Sequence, residues 1–589
     1  MQIEKQQVND ELRTLRHSAS HVLAQAVKRL FPDTKLAIGP AIDTGFYYDF
    51  DTATPFTTED LEKLEAEMKK IVKENLKIER FELDRQEALA LMADEPYKLE
   101  LIRELPDDAV ISFYKQGDFC DLCAGPHVNY TSKVKAFKLL SATGAYWRGS
   151  EKNKMLQRIY GTAFPTKDEL NAYLEQLEEA KKRDHNKLGR DLELFMTSDI
   201  IGQGLPIMLP KGAKIMQILQ RFVEDTEYQR GWQLTKTPYM AKSDLYKLSG
   251  HWDHYKDGMF VLGDEEKDKE VFALRPMTCP FQYQAFLNRG RSYRDLPMRL
   301  NETSTLFRNE ASGEMHGLIR VRQFTISEGH LICTPEQLEA EFKGCLELAI
   351  YMLKTLGLYE DISYRFSQWD PNDREKYIGT PEQWDEAQSV MYRILDHLGI
   401  DYEVGIGEAA FYGPKLDIQI KNVHGKEDTL ITLQIDQMLA EKFGMEYVDR
   451  DGTKKNPYII HRTSIGCYER TLALLIEKYA GAFPTWLAPV QVKLIALSEK
   501  HEDYVRELEQ KLREHDIRVE TDLRNEKVGY KIREAQLEKV PYMLIAGDKE
   551  QESGTVSVRS RKEGDKGAMR IADFISHVEK EVREKTLNV

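Results

Sequence analysis

The strongest constraint on the fold of this chain is the segment from Leu300 to His330. Its sequence is LNETSTLFRNEASGEMHGLIRVRQFTISEGH. Two extended runs flank a glycine-bearing loop, which predicts a β-hairpin. Arg308 and Glu310 are two residues apart, so they share one face of an extended chain. Such a pair suits ATP, since the cation binds phosphate, the anion accepts from the adenine amino group, and Phe324 could stack on the ring. A surface hairpin with a cross-strand ion pair is the alternative.

Composition narrows the class of protein. A chain of 589 residues has room for about three or four domains, and 41% hydrophobic residues suffice for a core in each. The six cysteines are spread along the chain, which argues against a disulfide scaffold. The N-terminus is polar and no apolar run is long enough to cross a bilayer, so we expect a cytoplasmic protein with no membrane partner. The net charge of −15 argues weakly against a nucleic-acid partner.

The order of residues around this hairpin resembles a known family. FRNE, a glycine-bearing loop and then Arg320 and Phe324 in R-x-x-x-F are similar to motif 2 of the class II aminoacyl-tRNA synthetases. With PMTCP before it and HGLIRVRQF after it, the longer string resembles the threonyl-tRNA synthetases in particular. The likeness extends from about His17 nearly to the C-terminus. It implies ATP-dependent activation of L-threonine with Mg²⁺, transfer to tRNA(Thr), and hydrolytic editing of mischarged seryl-tRNA(Thr).

The resemblance also implies a fold class and a domain order. We expect an α+β multidomain protein with an N-terminal α/β editing domain, a linker helix, a class II catalytic domain on an antiparallel sheet, and a C-terminal α/β anticodon-binding domain. The predicted bounds are 1–163, 164–190, 191–488 and 489–589. The last hundred residues support this independently, because short apolar runs alternate there with helical patterns. The small domain that commonly precedes the editing domain in this family is expected to be absent.

A segment near residue 210, LPKGAKIMQILQRFVEDTEYQRGWQLTKTPYM, predicts an amphipathic helix that ends near Gly231, followed by an extended run. It resembles motif 1, through which class II synthetases form dimers. The resemblance therefore implies a homodimer. The apolar face of the helix could equally belong to the core of one chain.

Two short motifs predict the editing site. His17 and His21 are four residues apart in a segment with helical apolar spacing, so their imidazoles share a helix face. Cys123 and His127 form a C-x-x-x-H about a hundred residues later. Three histidines and a cysteine could bind zinc, as in the related alanyl enzymes. The threonyl pattern of the rest of the chain favours a metal-free site, to which the family adds two residues, Lys98 and Asp121.

The resemblance implies one catalytic Zn²⁺ per chain, held by Cys279, His330 and His461. These residues are too far apart in the sequence to form a short zinc motif, so spacing alone would not have grouped them. Three protein ligands leave the fourth position of a tetrahedral zinc open, as a catalytic site requires. The alternative is three unrelated residues, with Cys279 simply buried.

The remaining catalytic-domain residues also come from the resemblance. Gly466 to Arg470 is similar to motif 3, which implies that Arg470 contacts ATP. The full set implied for catalysis and ATP binding is Arg308, Glu310, Arg320, Phe324, Lys415 and Arg470, and the set implied for threonine binding is Glu328, Tyr412 and Gln434. Several positions depart from the family pattern. Ile326 stands for a glutamine, Glu328 for an aspartate and Cys467 for a serine, and the family's N-C-P-G-H is T-C-P-F-Q at residues 278–282. We expect an altered substrate pocket.

Four polar residues of the last domain match family positions at the anticodon, namely Asn525, Arg533, Glu550 and Arg559. Without the resemblance, a solvated polar face would explain them as well. Two other functions remain open at this stage. A prolyl or seryl enzyme is one, for which the predicted zinc ligands would be unexpected. A paralogue that only binds RNA is the other, but the presence of the motif arginines argues against a loss of catalysis.

Overall fold

The computed structural model describes residues 2–150, 152–423 and 425–588, with side chains from Asp10 onward. The chain divides into two compact units, Met1–Glu178 and Glu179–Val589. Helix α5 (Lys167–Arg183) spans the boundary between them in the sequence. Among the described residues, no helix is both long enough and apolar enough to cross a membrane.

The first unit is an α/β structure with two sheets. Its elements are α1 (Gln2–Leu30), β1 (Lys35–Leu36), β2 (Ala41–Ile42), β3 (Gly45–Asp51), α2 (Thr58–Glu74), β4 (Ile78–Leu83), α3 (Arg85–Leu91), α4 (Pro96–Glu104), β5 (Ile111–Gln116), β6 (Phe119–Leu122), β7 (Ala136–Tyr146) and β8 (Met155–Phe164). One sheet has the order β1-β3-β8-β7 with β2 beside β3, and the other has the order β4-β5-β6.

Helix α1 forms because its regularly spaced apolar residues are buried against the rest of the unit. Val22, Leu23, Ala26 and Val27 are fully buried and belong to the main core cluster of this unit. That stripe recurs at helical spacing, so one face of α1 packs against the sheet of β3 and β8. The packing fixes the rotation of α1 and therefore the direction in which its polar residues point.

The catalytic part of the second unit is built around one large sheet. Its helices are α6 (His185–Asp191), α7 (Pro210–Gln229), α8 (Ser243–Ser249), α9 (His251–Tyr255), α10 (Cys279–Phe286), α11 (Leu338–Leu356), α12 (Pro381–Leu398), α13 (Leu439–Lys442) and α14 (Tyr468–Lys478). Its strands are β9 (Phe195–Met196), β10 (Ile207–Met208), β11 (Gln233–Leu234), β12 (Met240–Lys242), β13 (Val261–Leu262), β14 (Phe272–Leu274), β15 (Arg291–Ser292), β16 (Met298–Phe307), β17 (Gln323–Cys333), β18 (Ile362–Gln368), β19 (Glu403–Ile406), β20 (Lys415–Lys421), β21 (Glu427–Asp436), β22 (Tyr447–Val448), β23 (Lys454–Lys455) and β24 (Tyr458–Cys467).

The large sheet has eight strands in the order β11-β16-β17-β24-β21-β20-β18-β19. Its central strands are antiparallel, and only the two outermost pairs, β11 with β16 and β18 with β19, are parallel. The largest core cluster joins this sheet to α7, α11 and α14. The predicted hairpin is β16 and β17, although β16 ends at Phe307, one residue before Arg308.

A buried ion pair ties α7 to the sheet. Glu227 of α7 accepts from Arg462 of β24 at 2.6 Å, from the Ser464 hydroxyl at 2.5 Å and from Asn301 of β16 at 2.5 Å. The Arg462 guanidinium also lies 3.7 Å from the centre of the Trp232 ring. Removing one partner would leave the other charge buried and unpaired, so this network makes the position of α7 costly to change.

The C-terminal part of the second unit has a five-stranded mixed sheet in the order β26-β25-β27-β28-β29. Its elements are β25 (Val492–Ala496), α15 (Glu502–Glu514), β26 (Val519–Asp522), α16 (Val528–Leu537), β27 (Tyr542–Ala546), α17 (Asp548–Ser553), β28 (Thr555–Ser560), β29 (Gly564–Arg570) and α18 (Ile571–Glu584). Strands and helices alternate in this part of the chain, as the sequence predicts.

The expected α+β multidomain fold is therefore confirmed, with three differences in detail. The segment 164–190 forms two helices, α5 and α6, because Asp184 begins a new helix by accepting from the Lys187 amide. The extended run after α7 contains only the two-residue strand β11. The final pair, β29 and α18, was not predicted, because β29 is polar and exposed and so lacks the apolar pattern of a strand.

The fold makes Gly466 difficult to replace. Its φ is +73°, and an added Cβ would lie 2.0 Å from the Leu430 carbonyl oxygen, whereas at Gly444, with φ +65°, an added Cβ would meet nothing within 4 Å. We predict that Gly444→Ala lowers the free energy of unfolding by about 1–2 kcal/mol through backbone strain alone, and Gly466→Ala by about 3 kcal/mol or more. Chemical denaturation of both variants tests this. Equal losses would contradict the close approach.

Candidate active site and editing site

A cavity of about 960 Å³ is lined by strands β17, β20, β21 and β24 and by the loops around them. It collects nearly all residues that the sequence predicts for the catalytic domain. Those lining it are Cys279, Arg308, Glu310, Arg320, Phe324, Glu328, Tyr412, Lys415, Gln434, His461 and Arg470. His330 is fully buried behind this surface.

The hydrogen-bond register of the sheet aligns four of the predicted residues. His330 of β17 lies opposite His461 of β24, His461 lies opposite Gln434 of β21, and Gln434 lies opposite Lys415 of β20. Residues paired in this way have Cβ atoms about 4.5–5.5 Å apart on one face of a sheet. The four residues therefore form a cross-strand row, which runs from the two histidines to the polar groups that line the cavity.

Cys279, His330 and His461 form a compact, buried donor set. One ligand atom from each lies within 4.8 Å of the other two. Cys279 is the first residue of α10, and the two imidazole rings meet edge to face with centroids 4.7 Å apart. One sulfur and two nitrogen donors suit Zn²⁺. Burial and the nearby Glu328 raise the pKa of Cys279 well above its usual value, so a thiolate there requires a cation.

The hydrogen bonds around both histidines leave one nitrogen of each for a metal. His330 Nδ1 lies 2.6 Å from the Gln282 side-chain oxygen, and its Nε2 is buried without a hydrogen-bond partner among the described residues. His461 Nε2 lies 3.0 Å from the Asp436 carboxylate. Carboxylate or amide oxygens in these positions fix the tautomer and orientation of a metal-binding imidazole. The residues therefore fit a zinc ion bound by His330 Nε2 and His461 Nδ1.

Three polar groups lie beside this donor set. The Tyr412 hydroxyl donates to the Gln434 side chain at 2.7 Å, and the Tyr412 and His461 rings are 5.0 Å apart. Glu328 accepts from the Thr278 amide at 3.1 Å, which directs its carboxylate toward α10. Burial raises the pKa of Glu328. Together these groups present a hydroxyl, an amide and a carboxyl to a small amphoteric ligand.

The other end of the cavity is cationic. The Arg308 guanidinium lies over the Phe324 ring at 5.1 Å, and its Nε has no hydrogen-bond partner among the described residues. Glu310 accepts from Arg320 Nε at 2.8 Å. Arg308 and Glu310 both line the cavity, as the sequence predicts, although neither belongs to a strand.

Arg470 and Lys415 complete this region. Arg470, in the first turn of α14, donates to the backbone oxygens of Ile319 and Thr429. Lys415 forms an ion pair with Asp417 two residues along β20. Arg470 therefore connects the loop between β16 and β17 to α14 at the wall of the cavity.

Two of the departures from the family pattern are neighbours in the structure. Ile326 of β17 lies opposite Cys467 of β24, and both line the cavity. The register shifts between Ile326 and Glu328, so a bulge separates this pair from the row that contains His330. Both side chains pack on the small cluster of Leu306, Val321 and Phe324. The wall of the cavity is therefore apolar at this point.

In the first unit, the four predicted editing residues form one cluster. Cys123 Sγ lies 3.3 Å from His17 Nε2 and 3.2 Å from His127 Nε2. The His21 and His127 rings are 4.1 Å apart, and the Ser18 hydroxyl lies 3.2 Å from His127 Nδ1. The four side chains also satisfy the spacing of a metal-binding set. The geometry thus accommodates either an ordered water or an ion.

Lys98 and Asp121 lie next to this cluster and are almost fully buried. Lys98 Nζ is 2.6 Å from Asp121 Oδ1, and Asp121 Oδ2 accepts from the Tyr48 hydroxyl at 2.5 Å and lies 3.7 Å from His21 Nε2. A buried ion pair holds its two charges in fixed positions. Asp121, Lys98 and Tyr48 therefore connect the histidine cluster to strand β3.

Burial keeps the cluster neutral near pH 7. It lowers the pKa of His17, His21 and His127, and it raises the pKa of Cys123 to about 11. The imidazoles are therefore unprotonated and the thiol retains its proton. A neutral imidazole has a nitrogen lone pair that can accept from water, although its lowered pKa makes it a weaker base than a free imidazole. A protonated thiol is a weak nucleophile.

The four predicted anticodon residues lie in separate elements of the last domain. Asn525 is exposed in the loop after β26, and Arg533 is exposed on α16. Glu550 caps α17 by accepting from the Gly547 amide at 3.0 Å. Arg559 is half-buried on β28, opposite Met543 of β27. In the structure, Glu550 thus has a local structural role.

Sequence reasoning missed several residues of both sites. Gln282, Asp436 and Tyr283 orient the two buried histidines, and Tyr48 holds Asp121. Gln282 carries one signal, since it lies three residues after Cys279 and so shares its helix face. The others gave no local signal, because the residues that they contact lie far away in the sequence.

Comparison with known proteins shows three matches to family models. The tRNA synthetase class II core domain (G, H, P, S and T) matches residues 260–479. The anticodon binding domain matches residues 491–581. The threonyl and alanyl tRNA synthetase second additional domain matches residues 111–160, the segment that contains Cys123 and His127.

Relatives that match nearly the whole chain are threonine–tRNA ligases. A threonine–tRNA ligase of Clostridium perfringens is 67% identical over 569 residues, which cover 97% of this chain and 88% of that protein. The threonine–tRNA ligase of Acetivibrio thermocellus is 51% identical and covers the same shares. Among solved structures, the RNA binding domain of threonyl-tRNA synthetase from Cryptosporidium parvum Iowa II superposes with a TM-score of 0.64 at 32% identity, over 67% of this chain and 98% of that one.

Proposed function

The chain belongs to the threonine–tRNA ligases, a family of class II aminoacyl-tRNA synthetases, and on this basis we propose how its residues divide the reaction. The protein is an ATP-dependent ligase that activates L-threonine and transfers it to tRNA(Thr). Its second additional domain supports hydrolytic editing of seryl-tRNA(Thr). The observation that carries the catalytic assignment is the cross-strand row of His330, His461, Gln434 and Lys415, which joins the buried donor set to the cationic end of one cavity.

Activation requires positioning more than covalent chemistry. The carboxylate of threonine attacks the α-phosphate in line, and pyrophosphate leaves. Arg308 and Arg470 neutralise charge on the triphosphate, with Arg320 and Lys415 assisting, and Mg²⁺ accompanies ATP. Glu310 accepts from the adenine amino group and Phe324 supports the ring. A terminal ribose hydroxyl of tRNA(Thr) then attacks the activated carbonyl, and AMP leaves.

Cys279, His330 and His461 would hold one zinc ion, which would supply a Lewis acid for the amino and hydroxyl groups of threonine. Tyr412, Gln434 and Glu328 orient the bound amino acid through the contacts described above. Valine has nearly the same shape as threonine but no hydroxyl. A site built to bind that hydroxyl rejects valine far better than an apolar pocket would.

Serine keeps the hydroxyl and lacks one methyl group, a difference worth only about 1–3 kcal/mol in binding. A second site must therefore remove serine from tRNA(Thr). The neutral His17, His21 and His127 orient and deprotonate a water beside the ester carbonyl, and Lys98 with Asp121 fixes their surroundings. Because its pKa is raised, Cys123 supports the cluster as a hydrogen-bonding group rather than as a nucleophile.

Two further assignments concern binding partners. Asn525, Arg533 and Arg559 contact the anticodon, and Glu550 contributes by shaping α17. A homodimer forms along the motif 1 region, because edge strand β11 exposes 64% of Leu234 and the end of α7 exposes 80% of Tyr228. Unpaired edge strands with exposed apolar side chains are typical of protein–protein interfaces.

The ATP site is tested by ATP–pyrophosphate exchange with each amino acid in turn. We expect exchange with threonine, little with valine, and a loss of about tenfold or more in Arg308→Ala and Arg470→Ala, since a charge-assisted hydrogen bond contributes about 1.5–3 kcal/mol. Arg289→Ala is the control, because its ion pair with Asp295 is exposed and does not line the cavity. Exchange within about twofold of the parent in both cavity variants would refute this assignment.

Metal analysis tests the zinc site. The purified chain should contain one zinc ion, and Cys279→Ser should lose most of it because the hydroxyl of serine is a much poorer ligand than a thiolate. Cys345→Ser is the matched control, since Cys345 is equally buried but lies in the core cluster of α11. Unchanged zinc content in Cys279→Ser, or full activity of a zinc-free preparation, would disprove the site.

Deacylation of preformed seryl-tRNA(Thr) tests the editing site. The double variant His17→Ala with Cys123→Ala should hydrolyse it at least about tenfold more slowly, because general base catalysis contributes about 10²–10⁴-fold. Charging with threonine should be unchanged. Cys120→Ala serves as the control, since Cys120 lies outside the cluster. If the double variant deacylates as fast as the parent, the domain has another role.

A further inference from the structure

His185 opens helix α6 and is completely buried, at 0% exposure. It belongs to none of the catalytic, zinc or editing groups assigned above. Its neighbour Asp184 caps α6 by accepting from the Lys187 amide at 2.9 Å. A buried histidine requires partners for both ring nitrogens, since an unpaired polar atom in the core is costly.

Both nitrogens of His185 have partners. Nδ1 lies 2.7 Å from the Glu477 carboxylate of α14, and Nε2 lies 3.2 Å from the backbone nitrogen of Leu318. The Leu318 amide can only donate, so Nε2 is the acceptor and Nδ1 carries the proton that is donated to Glu477. The contacts thus require one tautomer and orientation of the imidazole.

This arrangement holds the loop between β16 and β17 at two adjacent residues. Helix α14 binds the Ile319 oxygen directly through Arg470, at 3.0 Å from Nε. Two turns further along α14, Glu477 binds His185, which in turn binds the Leu318 amide. The next residue of the loop is Arg320, whose guanidinium pairs with Glu310 at the cavity.

The loop also approaches the imidazole very closely. Gly317 has a φ of +49°, and an added Cβ would lie 2.1 Å from His185 Nε2. The ring of His316 meets the ring of His185 edge to face at 5.7 Å. With glycine at 317, the backbone can lie directly against the imidazole. The loop therefore rests on His185 as well as bonding to it.

We infer that His185 is a positioning residue for ATP. It holds the loop through the Leu318 amide, and so fixes Arg320 and Glu310 where the nucleotide binds. The inference rests on the proposed function of this loop in binding ATP. His185 touches no reacting atom. A merely structural role would predict that loss of activity follows loss of stability.

Two substitutions separate these roles, because each keeps one of the two hydrogen bonds. In His185→Gln, the side-chain oxygen reaches the position of Nε2 and accepts from Leu318, but Glu477 loses its donor. In His185→Asn, the side-chain nitrogen reaches the position of Nδ1 and donates to Glu477, but the Leu318 amide loses its acceptor. An unpaired buried carboxylate costs more than an unpaired amide, so His185→Gln should be the less stable variant.

Threonine-dependent ATP–pyrophosphate exchange and thermal unfolding are then measured for both variants. We expect His185→Asn to raise the KM for ATP about 5- to 10-fold with kcat within about twofold, the effect of one lost hydrogen bond to the loop. The KM of His185→Gln should stay within about twofold of the parent despite its lower melting temperature. His397→Asn is the control, since His397 forms an exposed pair with Glu339 at 3.0 Å.

The outcomes distinguish this inference from the proposed function. A parent chain without threonine-dependent exchange would refute the proposed function itself. An active parent in which the KM for ATP follows the order of the melting temperatures would overturn the role of His185. The role of His185 would also be overturned if both variants had the KM of the parent for ATP. Only one result supports a positioning role: a raised KM for ATP in His185→Asn together with a KM close to that of the parent in His185→Gln.

Discussion

The hydrogen-bond register of the central antiparallel strands is the constraint on which the catalytic site depends. A shift of one residue between β17 and β24 would move every side chain of one strand to the opposite face. In the observed register, His330 and His461 lie opposite each other and Gln434 continues the row. Beyond the bulge, where the register shifts, Ile326 lies opposite Cys467. The pairing of the two histidines and the apolar wall of the cavity thus both follow from the backbone pairing of β17 with β24.

Buried polar groups secure this sheet to the elements around it. Glu227 joins α7 to two strands through Arg462, Ser464 and Asn301, and Gln282 joins α10 to the donor set through His330. Displacement of any of these elements would break these bonds and leave a further charge or donor unsatisfied in the core. The catalytic groups need such rigid support, because positioning of substrates provides most of the rate.

The two sites use histidine in different environments. At the catalytic site, His330 and His461 each keep a nitrogen beside a buried thiol whose pKa burial has raised, a setting that a cation would stabilise. In the first unit, burial lowers the pKa of His17 and His127, so these imidazoles are neutral. Burial alone has opposite consequences for thiols and imidazoles, since it always disfavours the charged form.

In the sequence, the motif resemblance implied the fold class. Apolar periodicity, which acts locally, predicted the helix with His17 and His21, the hairpin and part of the alternation of strands and helices in the last domain. Motif resemblance supplied the catalytic residues one by one. The tertiary structure decided what no spacing contains: the pairing of His330 with His461, the support of His330 by Gln282, and the contact of His185 with Leu318. These contacts join residues far apart in the chain, and only packing and strand register bring such residues together.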